Sequence, residues 1–351
     1  MEQQRIVTWV AMLCCCCLGT LAKTEKRTEQ QLRALPCPNA ADIAPCVCTV
    51  LPDNGMEMDC SSVTSSNELA LVFSAEIPFL DFESLTIQNN DAITSLRAGD
   101  LGDATFRIIT IMGGSLETVV MNAFMSSYHT LTDLTITGTK LNFFPFGEIE
   151  SFTQLKYLNL ENNDITGFPT LASATLRELL LGFNSIGEIS LTSLTNLPSL
   201  VAIGLHSAEI SQILPGTFAG LPMLQEIHLE MNSITQLPAG AIELQTLSNI
   251  VHLNVNLLEY IAEGALTGLH GEVFVQNNQL HELAEGVFKP LVDQGENSIS
   301  LFAEHNPLAC GCDIAWLVNN SKFLSHLMDD PTCSDGEKVK DLDPSIFILC
   351  P

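Results

Sequence analysis

The chain has 351 residues, of which 46% are hydrophobic and only 16% charged. Its 41 acidic and 14 basic residues give a formal net charge of -27. This balance argues against a disordered chain, because disorder combines high charge with low hydrophobicity. It also argues against nucleic-acid binding, since phosphate recognition needs clustered Lys and Arg.

The N-terminus has the pattern of a secretory signal peptide. Arg5 precedes an apolar run from Ile6 to Leu18, and small or neutral residues lead to Ala22, where we expect cleavage. The run is shorter than the ~20 apolar residues that cross a bilayer, which argues against the alternative of a membrane anchor. We predict a signal peptide over residues 1–22, a polar leader over 23–35, and a secreted, extracellular mature chain without a membrane span.

Eight cysteines follow the signal peptide, in two groups of four near the ends of the chain. They are Cys37, Cys46, Cys48 and Cys60, and then Cys310, Cys312, Cys333 and Cys350. An even number of cysteines in an oxidising compartment predicts disulfides. Zinc binding is the less favoured alternative, because a single residue between two cysteines is not the usual zinc spacing.

A repeat of the form L-x-x-L-x-L-x-x-N-x-L organises the middle of the chain. Ten units begin at Phe82, Phe106, Leu131, Leu155, Leu176, Leu200, Leu224, Ser248, His270 and Ser298. Their fourth and sixth positions are apolar in every unit, and a further apolar site follows eighteen residues into most units. The ninth position is Asn in seven units, and we expect a less regular stack at Gly114, Thr139 and Ala208, where it is not.

These spacings match leucine-rich repeats, and they predict the fold. One unit supplies a short strand and an irregular or helical return, and it buries its apolar residues only when units stack. We therefore predict an α/β leucine-rich-repeat solenoid, a curved horseshoe with a parallel sheet on its concave face. The expected domains are an N-terminal cap over 36–81, repeats over 82–305 and a C-terminal cap over 306–351.

Both cysteine groups lie where an open solenoid would expose its core, and both resemble the caps of extracellular leucine-rich-repeat proteins. Residues around Asn54-Gly55 predict a hairpin with a two-residue turn, and the segment after Asn306 predicts a short helix with Trp316 packed on the last repeat. The resemblance implies disulfides between the first and third and between the second and fourth cysteines of each group. These pairs are Cys37–Cys48, Cys46–Cys60, Cys310–Cys333 and Cys312–Cys350.

No catalytic signature is present: the chain has no G-x-S-x-G, H-E-x-x-H, P-loop, dinucleotide-binding or calcium-loop motif. We therefore predict a protein that is not an enzyme and that has no cofactor and no metal. The sequon at Asn319 predicts a glycoprotein.

The side chains on the concave face of the strands are the candidate binding residues, because they point away from the core. At the fifth position they change from small and polar in the first units to large and aromatic in the later ones. The predicted partner-binding residues are Tyr157, Phe183, His206, Glu226, His228, Glu230, His252, Phe274 and Phe302. Three alternatives stay open: a face without a ligand, a metal site formed by Glu226, His228 and His252, and a histidine pH switch.

Beyond the general repeat, the chain resembles a narrower group. The segments ALPCPNAADIAPCVCTVLPDNGMEMDCSSV, IPFLDFESLTI, NPLACGCDIAWLV and CSDGE are similar to the non-catalytic leucine-rich-repeat subunit of the secreted luciferin 2-monooxygenase of deep-sea shrimp (Oplophorus type). That resemblance implies that a separate small subunit performs the light-producing chemistry and that the repeat subunit accompanies and stabilises it.

The sequence thus predicts a secreted, non-catalytic accessory subunit that binds a protein partner, with a small luciferase-like monooxygenase subunit as the implied partner. The alternatives are an extracellular recognition protein of the innate-immune type and an enzyme with a concealed site. Residues 36–351 contain 38 acidic and nine basic residues, so we expect basic or apolar partners and repulsion of anionic surfaces.

Overall fold

The computed structural model describes residues 37–350, and the predicted signal peptide and leader lie outside this range. One sheet of 13 strands runs through the molecule. Its first pair is antiparallel, and every later pair is parallel. Both caps join this sheet, since the strands Val47–Val50 and Met56–Asp59 precede the first repeat strand and Leu327–Met328 follows the last.

The strands of this sheet, in spatial order, are short except in the first two repeats. They are β1 (Val47–Val50), β2 (Met56–Asp59), β3 (Asp81–Asn90), β5 (Thr105–Gly114), β7 (Asp133–Thr137), β8 (Tyr157–Asn159), β9 (Glu178–Leu180), β10 (Ala202–Gly204), β11 (Glu226–His228), β14 (Asn249–His252), β17 (Gly271–Phe274), β18 (Ser300–Phe302) and β19 (Leu327–Met328).

The return segments of the repeats are mostly turns and short strands. Three two-stranded parallel sheets pair β4 (Ser95–Leu96) with β6 (Thr118–Val119), β12 (Gln236–Leu237) with β15 (Tyr260–Ile261), and β13 (Ile242–Glu243) with β16 (Leu266–Thr267). The α-helices are α1 (Ala40–Ile43), α2 (Ser66–Phe73), α3 (Glu285–Val292), α4 (Ala315–Val318) and α5 (Ser321–Leu324). Short 3-10 turns occupy Met125–Ser127, Phe146–Ser151, Gly295–Asn297, Cys312–Ile314, Val339–Asp341 and Pro344–Phe347. Within residues 37–350, none of the helices has the length and apolar character needed to cross a membrane.

The core lies under the sheet and follows the repeat pattern. All twenty side chains at the fourth and sixth positions are buried, with at most 4% of their surface exposed. The apolar site eighteen residues into the units is buried as well, as at Phe124, Phe218 and Phe288. The predicted fold class is confirmed. Most of the return segments consist of short strands and turns.

The asparagines at the ninth position hold neighbouring units together. Asn256, for example, donates from Nδ2 to the carbonyls of Leu229 and Leu253, and its Oδ1 accepts from the backbone N–H of Ile234. It therefore satisfies backbone groups that the strand ends would leave unpaired.

The expected irregularity at the units that lack this asparagine does not appear in the sheet, whose register continues through them. The asparagine of the following unit takes over part of the bonding. The backbone N–H of Thr139 donates to Asn163, and that of Ala208 donates to Asn232.

The N-terminal hairpin forms, but the predicted two-residue turn is wrong. The last cross-strand pair joins Val50 and Met56, so the loop has five residues, 51–55. The N–H of Leu51 donates to the carbonyl of Gly55, and Asn54 has a positive φ of 69°. The N–H of Asn54 donates to the carbonyl of Leu51, so Pro52 takes the second position of a tight turn, a position that proline favours.

Four disulfides join the cysteines in the pairs that the cap resemblance implies: Cys37–Cys48, Cys46–Cys60, Cys310–Cys333 and Cys312–Cys350. In the C-terminal cap, the predicted short helix is α4, preceded by the 3-10 turn Cys312–Ile314. Trp316 on α4 donates from Nε1 to the carbonyl of Leu283 at 2.9 Å, which ties the cap to the return of the ninth unit. The domain boundaries themselves stay predictions.

Candidate functional site

Four flat rings stack on the concave face, one from each of the last four repeat strands. His228, His252, Phe274 and Phe302 form this ring ladder, with successive centroids 4.5, 4.6 and 4.4 Å apart. The planes of successive rings differ by 8°, 3° and 15°. The rings therefore lie face to face, and their exposed edges form a continuous strip.

The repeat itself produces this arrangement. The four residues occupy the fifth position of consecutive units, and the strand register places each directly beside the next. Adjacent strands lie about 4.8 Å apart, close to the 4.4–4.6 Å between successive ring centroids. The ladder begins after Gly204, because the fifth position of that unit has no side chain.

Carboxylates border the first ring on both sides. Nε2 of His228 lies 2.9 Å from Oε1 of Glu226, and its Nδ1 lies 3.4 Å from Oε1 of Glu230. The hydrogen bond with Glu230 raises the pKa of His228, against the opposing effect of burial. Glu226 is nearer, but Glu230 is the more buried of the two, so its charge is less screened.

The second ring has the opposite tendency. Burial lowers the pKa of His252, and the positive charge of His228 lowers it further. The imidazole of His252 makes no hydrogen bond to the residues in 37–350, and it packs between His228 and Phe274. The ladder thus contains one histidine whose charged form is favoured and one whose neutral form is favoured.

His206 extends the site toward the N-terminal side. Its ring lies over Gly182, where an added Cβ would be 2.6 Å from ring carbon Cε1. The absence of a side chain at Gly182 lets His206 Nε2 come within 3.5 Å of Oε1 of Glu161, two repeats away. Phe183 packs edge-on against the His206 ring, with centroids 4.9 Å apart.

Exposed apolar residues occupy the eighth position in three of the last six units, and Ser207, Asn277 and His305 occupy it in the other three. Phe183, Met231 and Val255 are 45–49% exposed. All three have positive φ angles, 53°, 56° and 56°, a conformation that is costly for large or β-branched residues. In the first half of the solenoid this position is held by residues that adopt it more readily, namely Asn89, Gly113, Gly138 and Asn162.

The seventh position carries unpaired polar atoms in four consecutive units. His206 Nδ1, Glu230 Oε2, Asn254 Oδ1 and Gln276 Oε1 are buried and have no hydrogen-bond partner among the described residues. An unpaired buried polar atom is costly. Four of the five such side-chain atoms in the described residues lie in this strip.

Most of the predicted binding residues come together here. Phe183, His206, Glu226, Glu230 and the ring ladder form one surface across β9 to β18. Tyr157 lies at the N-terminal edge of this surface, on β8 directly beside Glu178 of β9. Its hydroxyl accepts from Asn159, whose amide also donates to Glu161, the carboxylate that His206 reaches. Asn319 lies far along the chain in the C-terminal cap and is exposed, so the sequon is accessible.

Sequence reasoning missed Glu161, Val255 and the two amides Asn254 and Gln276. The signal was available in the repeat alignment, because these residues share the seventh or eighth position with His206, Glu230 and Phe183.

Comparisons with known proteins agree with this architecture. A family model described as leucine rich repeat matches residues 174–234. The chain is 38% identical to the Oplophorus-luciferin 2-monooxygenase non-catalytic subunit of Oplophorus gracilirostris over 318 residues, covering 90% of this chain and 88% of that protein.

Solved structures of other leucine-rich-repeat proteins share the fold. A chain in the octameric complex of latrophilin 3, Unc5D and FLRT2 aligns with a TM-score of 0.60 and 22% identity over 77% of this chain and 91% of that one. The TLR13 complex with ssRNA13 aligns with a TM-score of 0.58 and 21% identity, over 70% of this chain and 34% of that one. The Drosophila Toll–Spatzle complex aligns with a TM-score of 0.53 and 15% identity, over 83% of this chain and 48% of that one. At these identities the likeness concerns the fold alone. The long match to the shrimp protein goes further, and the chain belongs to the leucine-rich-repeat family of the Oplophorus-luciferin 2-monooxygenase non-catalytic subunit.

Proposed function

We propose that this chain is a secreted, non-catalytic accessory subunit that binds and stabilises a small monooxygenase subunit of the luciferase type. The binding surface is the concave face from β9 to β18. The ring ladder is the observation that carries the proposal, because stacked aromatic rings with exposed edges are a typical anchor for a protein partner. The subunit named in the shrimp relative supports the choice of partner.

The residues around the ladder support the same conclusion. Phe183, Met231 and Val255 hold exposed apolar side chains in a strained backbone conformation. Strain of this kind often accompanies functional sites. Exposed apolar groups beside unpaired polar atoms provide the apolar contacts and the hydrogen bonds that a protein interface requires.

The charge of this region defines the partner further. Between residues 178 and 302 the chain has 13 acidic residues and a single basic one, Lys289, which pairs with Glu285 on α3. Glu226 and Glu230 border the ladder directly. A partner with basic groups around an apolar patch therefore fits this face best.

Affinity purification of the tagged full-length chain from its native secretion, followed by mass spectrometry, tests the proposal. We expect the wild type to capture a small monooxygenase subunit, and we expect Phe274→Ala combined with Phe302→Ala to lose it, because the double change removes half of the ladder. Secretion should stay normal, since both rings lie on the surface side of the sheet. Phe143→Ala is the matched control, because this exposed phenylalanine lies on a return segment.

Three other outcomes would favour a different function or exclude the proposed binding surface. Capture of a glycan or a microbial surface ligand in place of a protein subunit would favour extracellular recognition, the function suggested by the fold shared with TLR13 and Toll. Turnover by the purified chain, lost when the ladder histidines are replaced, would favour an enzyme. Equal capture by the double variant and the wild type would exclude the ring ladder as the binding surface.

A further inference from the structure

Three side chains at the start of the ring ladder form a set of metal-binding donors. Glu226 and His228 are on β11, and His252 is the direct neighbour of His228 on β14. One ligand atom from each lies within 4.8 Å of the other two, and all three residues are half-buried. In residues 37–350 this is the only group of three such side chains with donors so close together.

The chemistry of these donors suits a borderline metal ion. Two imidazole nitrogens and one carboxylate oxygen are ligands that Zn²⁺ accepts, at about 2.0–2.2 Å each. Donors around a tetrahedral zinc are about 3.3 Å apart, so donors that lie within 4.8 Å of one another need to close by at most roughly 1.5 Å. Rotation of the rings out of the parallel stack supplies that movement while the backbone register stays as it is.

The carboxylates on either side of His228 favour metal binding by this side chain. A metal ion would replace the proton between His228 Nε2 and Glu226 Oε1, which are 2.9 Å apart. The opposite nitrogen, Nδ1, faces Glu230 at 3.4 Å and can donate its proton to that carboxylate. A histidine that binds metal through one nitrogen commonly donates to a carboxylate through the other, which fixes the ring and its tautomer.

His252 provides the second nitrogen. Its imidazole makes no hydrogen bond to another described residue, so metal binding by the ring breaks none. The negative charges of Glu226, Glu230 and Glu272 all act on this ring and favour a cation beside it.

We propose that Glu226, His228 and His252 bind one Zn²⁺ ion on the concave face, with the fourth coordination position open to water or to a side chain of the bound partner. The site is a property of this chain alone and does not depend on the proposed function.

Isothermal titration of the tag-free, full-length chain with ZnCl₂ tests the site, after removal of bound metal with a chelator. The wild type should bind one equivalent of zinc. His252→Phe and Glu226→Gln should each weaken binding by about tenfold or more, since loss of even an outer-shell partner costs that much. His252→Phe keeps a flat ring between His228 and Phe274, so the fold and the stack are preserved. His129→Gln, at an exposed histidine that bonds Thr153, should bind like the wild type.

Three results would overturn the inference. The first is the absence of stoichiometric zinc binding by the wild type. The second is zinc binding by His252→Phe that is as tight as that of the wild type. Equally tight binding of Ca²⁺ would also overturn it, because calcium prefers oxygen ligands and would report only the acidic surface. The titration contains no partner protein, so its failure leaves the proposed function untouched, and failure of partner capture leaves the zinc site untouched.

Discussion

Individual residues of the concave face combine strain with exposure, and Val255 is the clearest case. It is β-branched, 45% exposed and held at a φ of 56°. The left-handed conformation costs about 1–2 kcal/mol for a residue with a Cβ, and Asn tolerates it better. The position therefore retains an unfavourable residue that offers apolar surface to the outside.

Val255→Asn should raise the free energy of unfolding by about 1 kcal/mol, because it relieves this strain. The same change should weaken partner capture, since it removes exposed apolar surface beside the ladder. Denaturant unfolding and the affinity purification above measure the two effects.

Asn277 occupies the equivalent position of the next unit, with a φ of 54°, and serves as the reciprocal control. Asn277→Val should lower stability by a similar amount. A Val255→Asn variant with unchanged or lower stability would show that the conformation is not strained at this residue.

Sequence reasoning predicts the concave face at residue level only as far as the repeat period reaches. The period places His228, His252, Phe274 and Phe302 side by side, and the structure confirms that they are neighbours. It does not give side-chain rotamers, which decide that His206 leans across Gly182 to Glu161. Whether these residues bind a partner stays a prediction.

At the scale of elements, the two caps close the ends of the solenoid with disulfides of different span. The Cys312–Cys350 bond joins residues 38 apart in the sequence, whereas Cys37–Cys48 joins residues 11 apart. A cross-link that closes a longer loop removes more entropy from the unfolded chain.

Replacement of Cys312 and Cys350 by Ser should therefore cost about 4 kcal/mol, and the same replacement of Cys37 and Cys48 about 3 kcal/mol. Thermal unfolding of the two double variants gives the order. In the first variant, limited proteolysis should cut only within the C-terminal cap. That result would show that the repeats stay folded. A larger loss for the shorter loop would show that cap packing outweighs chain entropy here.

The hairpin in the N-terminal cap shows where element prediction from sequence fails. Asn-Gly is a strong signal for a two-residue turn, but Pro52 favours the second position of a different turn, which the bond from the N–H of Asn54 to the carbonyl of Leu51 closes. The tertiary pairing of β2 with β3 also fixes the register independently of the turn. The loop consequently lengthens to five residues while both strands keep their pairing.

Across the whole molecule, the acidity belongs to the repeats and caps, with 38 acidic and nine basic residues in 36–351. Such a surface repels polyanions over a Debye length that is about 10 Å at 0.1 M salt and 3 Å at 1 M. The described sheet carries this negative charge along its full length. The whole molecule, and not one patch of it, therefore repels polyanions.

The intact chain should therefore pass through a heparin column without retention at low salt, and partner association should slow by about tenfold as salt rises from 0.05 to 0.5 M. Column elution profiles and association rates measured at several salt concentrations check both statements. Binding to heparin that does not change with salt would contradict the electrostatic account.

The ring ladder has one more consequence, for how such a surface changes in evolution. Each ring comes from one repeat, and the parallel register sets its distance to the next. Duplication of a repeat that carries a ring would lengthen the strip by one ring and leave the existing spacings intact. The size of the surface is thus counted in whole repeats, and a family with this fold can match larger partners by copying a unit of about 24 residues.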